Sequence, residues 1–182
     1  MKFTANATLE NPLRDIILNR DQLLRHAAEI AQFHLQVGIT HKHRRIMPRF
    51  IENTKFLKRA YYEISEYVQR TRDIVPAAEW FLDNYYLLKD SQLEIRKNFS
   101  WRYERQLPRV AGGDFEGFPR IYALMVEFVE HTDSEISADT LIEFVNDYQR
   151  HIPLTTGELW AIPAILKIIL IENIRRLVEQ IL

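Results

Sequence analysis

Apolar residues in this chain recur at intervals of three and four over five long stretches, and they almost never alternate at period two. Leu23, Leu24, Ala27, Ala28, Ile30 and Ala31 predict a helix that ends near Gly38. Phe50, Thr54, Leu57, Tyr61, Ile64 and Val68 predict a second, running to about Arg70. Pro48 falls in its first turn, where the missing N–H removes no helical hydrogen bond. Pro76 opens a third, with Trp80, Phe81, Asn84, Leu87, Leu88, Ser91 and Ile95 on one face. Pro119, at a first helical position, restarts the pattern through Ile121, Leu124, Met125, Phe128 and Val129. Ser137 is the expected N-cap of a helix carrying Leu141, Ile142, Phe144, Val145 and Tyr148. Thr155-Thr156-Gly157-Glu158 matches the capping box, in which threonine and glutamate satisfy each other's exposed amides. The last helix follows through Leu159, Ile162, Leu166, Ile169, Ile174, Leu177 and Ile181, with Pro163 as a candidate kink. Asn11-Pro12 offers one more, short helix start. From Asn98 to Gly117 the periodicity vanishes around Trp101, Pro108 and Gly112-Gly113. The pattern predicts an all-α bundle of six or seven helices with one long irregular loop at about 98–118.

Composition narrows the function classes without choosing one. A chain of 182 residues is the size of a single ordinary domain. The absence of cysteine excludes a disulfide framework, a thiolate zinc site and a cysteine nucleophile. With 24 lysines and arginines against 25 acids, the net charge of -1 argues against a nucleic-acid partner. The longest apolar stretch, Leu159 to Ile171, contains Pro163 and Lys167 and falls short of the roughly 20 residues a membrane span needs. The first residues hold no apolar core of a signal peptide. The expectation is a soluble, cytoplasmic chain with no direct membrane span.

Short motifs carry little chemistry. No glycine-rich phosphate loop and no HExxH string occurs. His41-x-His43 supplies two metal nitrogens with no third ligand placed by spacing, so it reads as part of a solvated basic connector running to Arg49. Lys42, Arg44, Arg45 and Arg49 read the same way. Trp80 and Trp160 fit core positions on apolar faces, while Trp101, in the irregular stretch, is open between core and a stacking platform. Glu79 and Glu158 sit near helix starts, where capping is the favoured reading over acid/base work. No cofactor is expected.

Longer strings say more. The chain contains Ala77-Ala78-Glu79-Trp80-Phe81-Leu82-Asp83-Asn84, then Arg105-Gln106-Leu107-Pro108, Gly117-Phe118-Pro119-Arg120, His131-Thr132-Asp133 and Tyr148-Gln149. It closes with Leu154-Thr155-Thr156-Gly157-Glu158-Leu159-Trp160-Ala161 and Ile171-Glu172-Asn173-Ile174-Arg175-Arg176. In this order and spacing they resemble the N-terminal region of the bacterial cyclic β-1,2-glucan synthases, most strongly from Pro76 to Arg176. The resemblance implies a large inner-membrane enzyme in which this region precedes a glycosyltransferase that polymerises glucose from UDP-glucose, a cyclisation region and a phosphorylase-like module. The D-x-D and Q-x-x-R-W strings such a transferase needs are absent here: Gln106-Leu107-Pro108-Arg109 is followed by Val110. The resemblance therefore carries over no catalytic, cofactor or metal residue. It implies one helical domain over 1–182, an N-terminal piece of a much larger polypeptide whose remainder is the partner. An independent helical module binding glucan or a protein is the alternative.

Among the shared strings, Arg105, Arg109 and Arg120 flank the irregular loop, and a buried arginine fork on a carboxylate would pin that loop to the bundle. Arg120 opens a helix against its dipole and calls for a compensating acid, with Glu79 and Glu158 as candidates. Removing Arg120 is expected to destabilise the fold, and removing Arg44 from the connector is not. Glu79, Trp80, Trp101, Arg105, Arg109, Arg120, Glu158 and Trp160 are thus the structural or partner-facing candidates. A polar groove for sugar hydroxyls, with Trp101 or Tyr103 as platform, is the functional reading of the same region.

Overall fold

Residues 15–37, 40–72 and 74–182 are described in the computed structural model, and among them seven helices form with no strand. They are α1 (Arg20–Gln36), α2 (Met47–Thr71), α3 (Pro76–Asn98), α4 (Trp101–Gln106), α5 (Arg120–His131), α6 (Ala138–Gln149) and α7 (Thr156–Glu179). The chain is all-α, as its periodicity predicts. The expected start at Asn11-Pro12 and the stop at Gly38 lie outside the described residues; α1 ends at Gln36 with Val37 as C-cap.

Helix starts follow local chemistry. Asn19 and Gln22 form a capping box on α1. Proline sits in the first turn of α2 and of α3. Pro119 is the N-cap of α5, one position earlier than expected, and α7 begins on the Thr155–Glu158 box. Ser137 caps α6 by position only, with no side-chain hydrogen bond. The last helix continues unbroken through Pro163.

At the centre stands α5, buried at every position from Ile121 to His131. A helix enclosed on all sides needs apolar residues all round, and α5 has them except at Glu127, Glu130 and His131. It packs on α7 and α1; α2 and α3 pack on α7, and α6 on α1. Phe128 of α5 meets Phe144 of α6 with ring centroids 5.2 Å apart, and Tyr61 stacks on Tyr85 at 4.3 Å where α2 meets α3.

Two expectations about this architecture need correction. The irregular stretch 98–118 contains α4, a helix of six residues capped by Ser100, too short to show a period. The inward face of α3 is Ala78, Phe81, Tyr85, Leu88 and Ile95; it keeps Phe81, Leu88 and Ile95 of the expected face but not Trp80 and Leu87. Trp80 and Trp160 are exposed at 57% and 79%, so neither is core. In α3, aromatic and aliphatic residues stand on both sides of the helix, and spacing alone added Trp80 and Leu87 to the inward stripe and missed Ala78 and Tyr85.

Candidate functional site: the loop junction at Arg120

Residues 108–120 double back on themselves after α4. Val110 N–H donates to Phe118 O (3.0 Å), Gly117 N–H to Val110 O (2.8 Å) and Arg120 N–H to Pro108 O (2.8 Å). Gly117 makes the return possible. Its φ is 86°, and a Cβ there would lie 3.2 Å from the Lys42 backbone.

Charged groups then lock this segment to the bundle. Arg120 Nε and Nη2 donate to the two oxygens of Glu158 at 2.9 and 2.7 Å, a bidentate fork with side chains 11% and 0% exposed. Arg120 Nη2 also reaches Pro153 O at 3.1 Å. Glu158 Oε2 simultaneously accepts the Thr155 N–H (2.8 Å), so one carboxylate starts α7 and neutralises the cation that starts α5. Burial is the largest influence on Arg120 and opposes its charge, but the Glu158 hydrogen bond together with the pull of Tyr148 and of the Glu158 charge outweighs it, and its pKa is raised. Arg120 and Glu158 are the pair; Glu79 sits exposed in the first turn of α3.

Arg109 pins the loop by a different means. Its Nη1 donates to Arg44 O and Gly117 O, both at 2.7 Å, and its Nη2 to Glu104 O at 3.2 Å. Its acceptors are carbonyls rather than a carboxylate, and burial lowers its pKa. The carboxylate of Glu104, 1% exposed, turns instead to the start of α2, accepting from Ile46 N–H (2.6 Å) and Met47 N–H (3.4 Å). It caps from outside a helix that has no side-chain cap of its own.

The basic connector is exposed from His41 to Arg45, as expected, but it is tied to the loop. Arg44 lies 4.2 Å over the Phe118 ring and donates to Asp114 O (2.9 Å). Lys42 pairs with Glu116 at 2.6 Å. Arg49 of α2 bonds Glu172 of α7, which also accepts from Arg176 (2.5 Å), giving a buried ionic node between those helices.

Between loop and connector lies a cleft of about 390 Å³ lined by His34, His43, Arg109 and Arg120 among others. His34 Nδ1 meets the Tyr148 hydroxyl at 2.8 Å. Burial, helped by the Arg120 charge, drives its pKa down to about 4, so the ring is neutral at pH 7. His41 and His43 are exposed, and among the described residues no third ligand joins them; three ligand-bearing side chains gather instead at His26, Glu127 and His131.

Of the sequence candidates, Arg109, Arg120 and Glu158 thus meet at one junction. Glu79, Trp80, Trp101, Arg105 and Trp160 stay on the surface, Trp101 beside the Arg102 guanidinium at 5.5 Å. Glu104 and Glu127 escaped sequence reading, and Glu172 and Arg176 stood in one of the shared strings with no partner assigned. The spacings Glu127-x-x-x-His131 and Glu172-x-x-x-Arg176, each one helical turn inside an apolar run, are the signal that finds three of them.

A helical bundle whose charged groups hold an irregular loop is the structural class. The chain is related to a region of the cyclic glucan synthases. It is 38% identical over 133 residues to cyclic beta-(1,2)-glucan synthase NdvB of Rhizobium meliloti (strain 1021), a match that covers 73% of this chain and 5% of that protein. No protein-family model matches the chain. Among the described residues no helix is long and apolar enough to cross a membrane.

Proposed function

We propose that this chain is a non-catalytic helical domain of a cyclic β-1,2-glucan synthase polypeptide, docking on and supporting its UDP-glucose-dependent glycosyltransferase. The similarity to NdvB carries the reading. The use made of the shared strings supports it. Arg120 and Glu158 hold each other, and Glu158 is further committed to a helix cap. The docking surface is the outer side of α3, where Trp80, Tyr86, Leu87 and Leu93 are exposed. The partner is the remainder of the synthase, a polypeptide about twenty times the matched length.

The test is excision of this segment from a full-length synthase, followed by radiolabelled glucose incorporation from UDP-glucose into β-1,2-linked product by membranes. Incorporation falls on excision and returns when the separate chain is added back. Product formed by the purified chain alone, or full activity after excision, overturns the proposal.

A second reading has its own observation. Trp160 stands beside an open groove of about 540 Å³ lined also by Tyr103, Glu94, Asn98 and Lys167. Aromatic surface next to hydrogen-bonding groups suits a sugar ring. Calorimetry with β-1,2-glucan separates the readings: saturable heat that disappears in Trp160→Ala favours a glucan-binding module.

A further inference from the structure

The geometry points to a divalent transition-metal site of zinc type at His26, Glu127 and His131, where α1 crosses α5. The ligand atoms of the three side chains all lie within 4.8 Å of one another. His26 Nε2 is 2.9 Å from Glu127 Oε2, and His131 Nε2 is 3.6 Å from the same oxygen. Ligands about 2.0–2.1 Å from a tetrahedral ion stand roughly 3.3 Å apart, and closer to 2.9 Å where the angle is nearer 90°. The two observed separations bracket that spacing, and with all the ligand atoms within 4.8 Å of one another the two imidazoles close on an ion by turning toward each other.

Tautomers supply the second argument. His131 Nδ1 lies 2.8 Å from Ile16 O. A carbonyl only accepts, so Nδ1 carries the proton, and in the neutral ring the Nε2 lone pair faces Glu127. At 3.6 Å that nitrogen is too far from Oε2 for a hydrogen bond. His26 turns its Nε2 inward, where it donates to Glu127 Oε2 at 2.9 Å a proton that an ion would displace, and its Nδ1 lies 4.0 Å from the Glu29 carboxylate. An Nδ1–H held by a backbone carbonyl, as at His131, with the Nε2 groups of both rings converging on one carboxylate, is the outer arrangement that orients a histidine ligand on zinc.

Charge favours a cation as well. Glu130 lies within electrostatic reach of Glu127 and His131, and Asp15 of His131 and Glu130, with Arg176 the opposing guanidinium near Glu130. Side-chain exposure of 11% at His26 and 47% at Glu29 leaves an approach along the edge of α1. Two imidazoles and one carboxylate select a borderline ion such as Zn²⁺ or Co²⁺ over Mg²⁺ or Ca²⁺, which prefer all-oxygen shells. With three protein ligands, the fourth position falls to solvent. Such an ion would clip α1, the segment before it and the central helix together.

The test titrates Co²⁺ and Zn²⁺ into the chelator-treated 182-residue chain. Expected are one equivalent bound, a higher melting temperature, and the intense visible absorption of a low-coordinate cobalt site. His26→Ala and His131→Ala each weaken binding by about tenfold or more, as loss of a single oriented ligand does at least. The double variant His41→Ala/His43→Ala binds as the parent does. Only the weak spectrum of the hexaaqua ion with the unaltered chain overturns the site, whatever the variants do. So does binding that survives His131→Ala or is lost with His41 and His43.

Discussion

Residues 108–120 have no repeating backbone conformation, yet Arg109, Arg120 and Arg44 tie that region to Glu104, Glu158 and the connector. The outer side of α3 is the opposite: 23 residues of regular helix whose Trp80, Tyr86, Leu87 and Leu93 reach into solvent. In a helix the backbone satisfies itself, so outward side chains carry no structural duty and are free to serve a contact beyond the chain. In an irregular segment each N–H and C=O needs a separately supplied partner, and each partner becomes indispensable. The junction is therefore where single substitutions should unfold the protein, and the α3 face where they should leave folding alone and alter association.

The sharpest way to break this contrast is Arg120→Ala. It leaves the Glu158 carboxylate, 0% exposed, without its counter-charge. Stranding a buried partner costs about 3–5 kcal/mol, and at roughly 2–4 °C per kcal/mol for this chain length the melting temperature should fall by about 10 °C. A shift no larger than that of a surface variant would erase the distinction. Next comes acid. Unfolded His34 takes a proton near pH 6.5, whereas folded His34 does so only near 4. Between those values the unfolded state binds the extra proton, so this contribution is complete above pH 6.5 and falls by about 3 kcal/mol as the pH drops to 4. His34→Gln should flatten denaturant-measured stability over that window relative to the parent; parallel curves would count against a neutral, enclosed ring.

A smaller effect is expected for Arg44→Ala, about 0.5–1 kcal/mol from its exposed stacking on Phe118, where the sequence alone suggested none. The smallest belongs to Trp80→Ser with Leu93→Ser. Stability should stay within about 0.5 kcal/mol per site, while the ability of the added chain to restore an excised synthase should drop. Destabilisation equal to that of Arg120→Ala would place these residues in the structure rather than at an interface.

Where regular spacing or a local box carried the information, the fold was legible: the prolines opening α2 and α3, the Thr155–Glu158 box and the apolar stripe of α7 all lie within a few residues of what they determine. That Arg120 needs an acid was legible for a related reason, because a cation at a helix start calls for one, but the choice of Glu158 over Glu79 was not. Glu104 was not, since the amides it caps are 58 and 57 residues away. Nor was the partnership of Arg49 with Glu172, separated by 123 residues. Local pattern says that a charge inside an apolar run needs a partner, and only packing says which one.

The enclosure of α5 bears on how the molecule breathes. Its amides from Ile121 to His131 have helices or loop on every side, so deuterium reaches them only when α1 or α7 detaches. Their exchange should be the slowest in the chain and should proceed through global opening, reporting the free energy of unfolding as a whole, while the rim of α3 exchanges by fraying. A bound transition ion at the α1–α5 crossing would slow the former and leave the latter untouched.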